Sequence, residues 1–246
     1  QKLASLGLNQ AVDLLLNYQD LPASPLKMSQ FDSGIIRPYS QQERAVVTKA
    51  RRNSDEAALS RIRQQRNEQR AQDRGQMRRI QAWWLKRIIE TNRPTEEKMT
   101  LFWHGHFASS FRAVEDSYHM LMQNNLFRQH AVGNFKELAH AIIRDPAMIA
   151  YLNNNQNRRQ APNENLAREL MELFTLGEGN AYSENDIKEG ARCLTGYTFD
   201  DDEFVFKAQN HDDEFKTVLG SRGQFDGHDF IELIFRRPEV SQYICL

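Results

Sequence analysis

Between Gln41 and Thr91 the chain runs without a proline and with a single glycine, and Arg, Gln, Glu and Ala dominate the stretch. A proline inside a helix costs about 3 kcal/mol and removes a backbone donor, whereas these four residue types favour helix. The stretch therefore predicts one long helix, or two joined near Asn53–Ser54. Between Arg61 and Gln76 only Ile62 is a large apolar side chain. A helix that is polar almost all round projects into solvent or meets a partner, so its middle is expected to be exposed. Met77, Ile80, Trp83, Trp84, Leu85, Ile88 and Ile89 then bring it back to the core.

The flanks set the class. Leu3, Leu6, Leu8, Val12, Leu15 and Leu16 have the mixed three- and four-residue spacing of a short amphipathic helix, and Pro22, Pro25, Gly34 and Pro38 punctuate a loop behind it. Pro94-Thr95-Glu96-Glu97 offers a helix start with Thr95 as cap, and Met99, Leu101, Phe102, Trp103 and Phe107 predict a helix buried on all sides. Further helices are expected at 112–126, 134–143, 163–176 and 184–195, the last opening on a Ser183–Asp186 capping box. From Tyr197 the aromatic and β-branched residues Phe199, Phe204, Val205, Phe206, Phe215, Thr217 and Val218 predict a β-hairpin, with a final helix from about His228 to Phe235. The expected fold is mainly α: an irregular multi-helix domain with a long polar helix and a small C-terminal β-hairpin. It divides into an N-terminal helix and loop (1–40), a long basic helical arm (41–91) and a helical core (92–246) with the hairpin near 197–219.

A net charge of −1 argues against a surface that traps polyanions overall, but the signs are segregated. Arg44 to Arg87 carries 13 Lys/Arg against four Asp/Glu, and Glu184 to Glu232 carries 13 Asp/Glu against five Lys/Arg. No aromatic residue lies between Tyr39 and Trp83 to stack on bases, and no nucleic-acid motif occurs, so a specific nucleic-acid partner is not expected. An acidic protein or an anionic polysaccharide is a more economical partner, and a plainly solvated arm more economical still. Cys193 and Cys245 have no spacing that suggests a zinc knot or redox pair, and no run of 18 apolar residues forms a transmembrane segment. P-loop, dinucleotide, nucleophile-elbow and zincin signatures are missing too.

Two constellations could carry chemistry. The first is Leu101-Phe102-Trp103-His104-Gly105-His106-Phe107, which sets two imidazoles among large apolar side chains. Histidines at i and i+2 point about 200° apart on an unbroken helix, but Gly105 can relax the backbone, and Glu97 lies on nearly the same helical side as His104. His104, His106 and a carboxylate would then resemble the sets that hold zinc, iron or manganese. The alternative is that both rings bond to backbone carbonyls or to Glu169 and only brace the core. The second constellation is the helix 163–176, where Asn165, Arg168, Glu169 and Glu172 share a stripe roughly 100° wide opposite Leu166, Leu170, Leu173 and Phe174. It reads either as a solvated face of Glu–Arg pairs or as a site, with Glu169 as base or ligand, Arg168 orienting, and Asn163, Asn165 and Glu172 binding. His211-Asp212 is a third candidate. His119, His130 and His140 lie singly on helices and are expected at the surface.

The Trp-His-x-His-Phe element and the run Asn163-Glu164-Asn165-Leu166-Ala167-Arg168-Glu169-Leu170-Met171-Glu172-Leu173-Phe174-Thr175-Leu176-Gly177 resemble the bacterial domain-of-unknown-function 1800 family. Leu194-Thr195-Gly196-Tyr197, His211-Asp212, Lys216 to Gly220 and Phe225-Asp226-Gly227 follow in the family's order. The resemblance implies a mostly helical bacterial protein that is periplasmic, cell-surface or secreted, and it implies a secreted sulfatase-like protein as a partner. Gly105 stands where the family usually carries Asn, and the family's opening and closing segments would lie beyond Gln1 and Leu246. Two functional readings result. One is a metal-dependent enzyme acting on a polymer or glycan, using His104, His106 and a Glu. The other is a non-catalytic surface scaffold whose basic arm docks a partner. The densest polar stripe available to the two histidines is that of Glu169 and Glu172, so at least one ring is expected to reach one of these carboxylates.

Overall fold

Local capping explains where the long helical run is cut. In the computed structural model, which describes residues 6–18, 21–22, 28–179 and 181–245, the Ser40 hydroxyl accepts from Glu43 N and the Glu43 carboxylate from Ser40 N. This capping box opens helix α2 (Gln41–Arg52). Ser54 then takes a left-handed φ of 50°, and Asp55 accepts from Ala58 N to start α3 (Glu56–Glu90), a helix of 35 residues. Of the two alternatives, one long helix or two joined near Asn53–Ser54, the second is present. A short α1 (Leu8–Leu16) precedes the pair; Leu3 and Pro25 lie outside the described residues.

The body follows: α4 (Pro94–His106), α5 (Phe111–Val114), α6 (Ser117–Gln129), α7 (Phe135–Ile142) and α8 (Pro146–Tyr151). Next, α9 (Asn165–Glu169) runs on into a π-helical segment, Leu170–Thr175. After α10 (Glu184–Cys193) come β1 (Tyr197–Asp200), β2 (Glu203–Phe206), β3 (Lys216–Val218), β4 (Ser221–Gly223), α11 (Gly227–Ile234) and α12 (Glu239–Cys245). The described chain is mainly helical, with two small antiparallel two-stranded sheets. Among the described residues no helix is long and apolar enough to cross a membrane.

One main core gathers Phe107, Phe127, Leu138, Ile142, Leu166, Leu170, Phe230 and Ile231 from α4, α6, α7, α9, the π-helical segment and α11. A smaller cluster of Phe31, Ile80 and Leu121 ties the N-terminal loop and α3 to α6. The long helix docks earlier than its apolar pattern predicts. Asp73 and Gln76 are already buried: Asp73 accepts from Ser117 N at 3.0 Å, and Gln76 clasps Asp32 through its backbone N and carbonyl at 2.9 and 2.8 Å. Polar side chains make the contact, so no hydrophobic stripe announces it.

Three local expectations are corrected. Thr95 is not the cap of α4, because Pro94 occupies the first helical position and Arg93 stands before it. Nor is α4 buried all round: Glu96, Glu97, Thr100 and Trp103 face inward, while Leu101 and Phe102 remain about half exposed, at 52% and 46%. Finally, the C-terminal β structure is two hairpins rather than one. Tyr197 pairs with Phe206 in the first, and Lys216 with Gly223 in the second. The second turn, Leu219-Gly220, has φ of 50° and 81°, the two positive values of a primed two-residue turn that matches strand twist.

Candidate functional site

Helix α4 does not stop at Gly105, so the geometric objection to a paired histidine site holds. His104 points toward Trp84 and Phe127, with ring centroids 5.4 and 6.1 Å away. His106 points toward the π-helical segment and is 2.9 Å from the Phe174 carbonyl through Nε2, which must donate. Burial lowers the pKa of both rings; for His106 the bond to Phe174 works in the opposite direction. His104 Nδ1 is buried without a hydrogen-bond partner.

The carboxylate expected beside His104 is committed elsewhere. Glu97 accepts from Arg128 Nε at 2.7 Å and Nη2 at 2.9 Å, from Trp84 Nε1 at 2.9 Å, and from Arg87 Nε. Burial pushes its carboxyl up, but the Arg128 and Arg87 guanidiniums outweigh that and hold the pKa below its ordinary value. Glu97 thereby joins α3, α4 and α6 as a buried anion between two cations. His104, His106 and a carboxylate are not brought together: among the described residues they belong to no group of three ligands close enough to share an ion.

The second constellation is a surface ion cluster with one exception. Arg168 bonds Glu172 at 3.0 Å, Glu164 at 3.0 Å, and both carboxylate oxygens of Glu184 at 3.0 and 2.8 Å. These contacts raise its pKa, but exposed ion pairs contribute little to stability. Asn163 accepts from Asn165 N at 2.9 Å and Asn165 reaches the Leu152 carbonyl at 3.4 Å, so both bracket the start of α9. Glu169 is the exception. It is partly buried, and its carboxyl makes no hydrogen bond or ion pair among the described residues. Burial first, then repulsion from Glu172, raises its pKa, while Arg168 counters. No hydrogen bond joins Glu169 or Glu172 to either histidine. The link between the two constellations is His106 to a backbone carbonyl instead.

That carbonyl sits where the helix has widened. Leu176 N bonds the carbonyl of Met171, five residues back, and Thr175 Oγ1 takes the Leu170 carbonyl. Single π-helical turns often mark functional positions, and here one presents Phe174 O to His106.

His211 and Asp212 are stapled to the body. His211 Nδ1 lies 2.9 Å from the Thr195 carbonyl, and Asp212 forms a two-pronged pair with Arg192 at 2.7 and 3.1 Å. Lys216, almost wholly buried, donates to the carbonyls of Asp212 and Glu214. The expectation of a surface His119 is corrected as well. Its ring is buried, with Nε2 3.1 Å from the Asp201 carbonyl and 3.2 Å from Asp202 Oδ1. Its position three residues after the Asp116 cap is the signal that was available, since the cap fixes which face of α6 turns inward. His140 is also largely covered, with a side-chain exposure of 16%.

The basic arm carries a cleft of its own. Val47, Leu59 and Ile62 lie between α2 and α3, with Arg51, Arg63, Arg66 and Arg70 around them and Tyr39 at one end, in a cavity of about 390 Å³. Arg66 lies 3.8 Å over the Tyr39 ring, and Arg63 and Arg70 pair loosely with exposed Glu56 and Glu115. Arg51 has no ion pair among the described residues.

No curated protein and no solved structure matches the chain. The family profile described as "Protein of unknown function (DUF1800)" matches residues 1–246, which is the whole sequence. With the resemblance of its motifs confirmed over that length, the chain belongs to the DUF1800 family.

Proposed function

We propose that this protein is a non-catalytic, envelope-associated scaffold that docks an acidic, partly apolar segment of a partner protein between α2 and α3. The observation that carries the reading is the arginine-rimmed, apolar-floored cleft of the basic arm. Its aliphatic floor favours a polypeptide over a polysaccharide, because Val47, Leu59 and Ile62 offer a glycan no hydrogen bonds. The exposed pairs of Arg63 and Arg70 are weak enough to be exchanged for a partner's carboxylates. Envelope placement comes from the family resemblance, and the secreted sulfatase-like protein implied by it is the first natural partner to try. Against the alternative, a metal-dependent enzyme built on His104, His106, Glu169 and Arg168, stands the divergence of the two rings and the full engagement of Glu97.

Fluorescence anisotropy with a labelled peptide of alternating Glu and Leu tests the reading. Saturable binding is expected that weakens as salt rises and is lost in the Arg51→Glu/Arg63→Glu double variant. Equal binding by wild type and variant, or tighter binding of a heparin oligosaccharide than of the peptide, would sink it.

A further inference from the structure

Helix α11 carries His228 and Glu232 one turn apart, and α7 carries His140 in its last turn. Residues four apart share a helix face, so His228 and Glu232 project together from the side of α11 that borders α7. Phe230, Ile231 and Ile234 bury the rest of that helix in the core and fix its orientation. One imidazole nitrogen from each histidine and one oxygen of Glu232 consequently lie within 4.8 Å of one another. His140 Nε2 is 3.0 Å from Glu232 Oε1, and the two imidazole rings stack at 4.5 Å with 22° between their planes.

Internal hydrogen bonding alone does not account for this arrangement. An ionised carboxylate only accepts, so the contact with Glu232 puts the proton on Nε2 of His140. Its Nδ1 is left buried with no partner. Both oxygens of Glu232 face donors: Oε1 faces His140 Nε2, and Oε2 lies 3.1 Å from the Lys136 ammonium. Two nitrogen donors and one anionic oxygen, drawn from two helices, make a ligand set typical of zinc and other divalent transition metals. Ligand atoms around a tetrahedral zinc sit about 3.3 Å apart, so side-chain rotations that bring the atoms closer by at most about 1.5 Å close the set.

We propose that His140, His228 and Glu232 bind a divalent transition-metal ion such as Zn²⁺ between α7 and α11, with water completing its coordination. The exposure of His228 and the partial exposure of Glu232 leave room for those waters, as in sites with three protein ligands. Lys136 opposes the ion. Its ammonium lies 3.1 Å from the second oxygen of Glu232 and so competes with the ion for the charge of that carboxylate. A metal on His140 Nε2 displaces the proton from that nitrogen, and Nδ1 then carries the ring's proton with no acceptor beside it, so affinity is expected below that of sites whose histidines are braced by an outer partner. The proposal is independent of the docking cleft, which lies on other helices.

Isothermal titration of the chelator-treated protein with ZnCl₂ tests it, with Co²⁺ absorption in the visible as a second readout. Wild type is expected to bind one Zn²⁺ per chain. His228→Ala, which removes an exposed side chain and leaves the fold intact, should weaken binding by about tenfold or more, and Glu232→Gln should do the same. Lys136→Gln should tighten it, whereas His104→Ala should leave affinity unchanged. Absence of saturable zinc binding by wild type, or zinc binding that survives His228→Ala undiminished, would overturn the proposal.

Discussion

At the scale of single residues, Asp145 shows how a structural carboxylate acquires a pH dependence. Its Oδ2 caps α8 through Met148 N at 2.8 Å and accepts from Gln123 at 2.7 Å, yet burial dominates and pushes its pKa up to about 6. The folded state therefore binds more protons than the unfolded chain between the ordinary carboxyl value of 3.8 and about 6, so this group's contribution to stability is lost as pH rises through that window. Asp145→Asn keeps an acceptor oxygen and cannot ionise. It is expected to be more stable than wild type by up to about 3 kcal/mol at about pH 8, with the gain gone below about pH 4, as read by urea denaturation. An unchanged difference across that range would refute the account. The composition of the Trp103–Phe107 segment showed that its two imidazoles would call for polar partners; His106 finds one, and His104 Nδ1 does not. Which partners they find was not legible, since His106 bonds a backbone carbonyl, and a carbonyl leaves no mark in a residue pattern.

Whole elements were read more reliably where their signals are local. The capping box at Ser183 and the glycine-poor run of α3 act within a few residues, and the helices they predict are present, whereas the box at Ser40 that opens α2 was not read from the sequence. The second hairpin was missed because Phe215, Thr217 and Val218 were assigned to one hairpin with Phe199 to Phe206, although the positive φ values of Leu219-Gly220 make a hairpin turn of their own. Helices α10 and α11 meet closely at Gly190. A Cβ on Gly190 would come within 2.4 Å of Phe230 Cζ, and Phe230 is fully buried with nowhere to move. Gly190→Ala gains about 1 kcal/mol of helix propensity and loses about 1–3 kcal/mol or more to overpacking. A lower Tm is therefore expected in a thermal melt, and a raised one would show that α10 can slide.

For the molecule as a whole, charge is segregated along the chain while the total is close to zero. The basic arm should attract any polyanion at low ionic strength, but it has nothing with which to read bases. Two unrelated DNA duplexes are expected to bind equally and weakly, with a steep loss of affinity as salt rises, in an anisotropy titration. Tight binding of one duplex over the other at physiological salt would overturn that expectation. The sequence by itself determined the helical class, the β structure after Tyr197 and the polar character of the arm, and it narrowed any break in the long helical run to Asn53–Ser54. Each of these follows from propensities and caps that operate over one or two turns. Only the tertiary structure decided which polar groups became buried partners: Glu97 with Arg128 across 31 positions, His106 with Phe174 across 68, and His140 with Glu232 across 92. Those pairings arise from how finished helices dock, and helix docking depends on the shape of distant surfaces that no local pattern encodes.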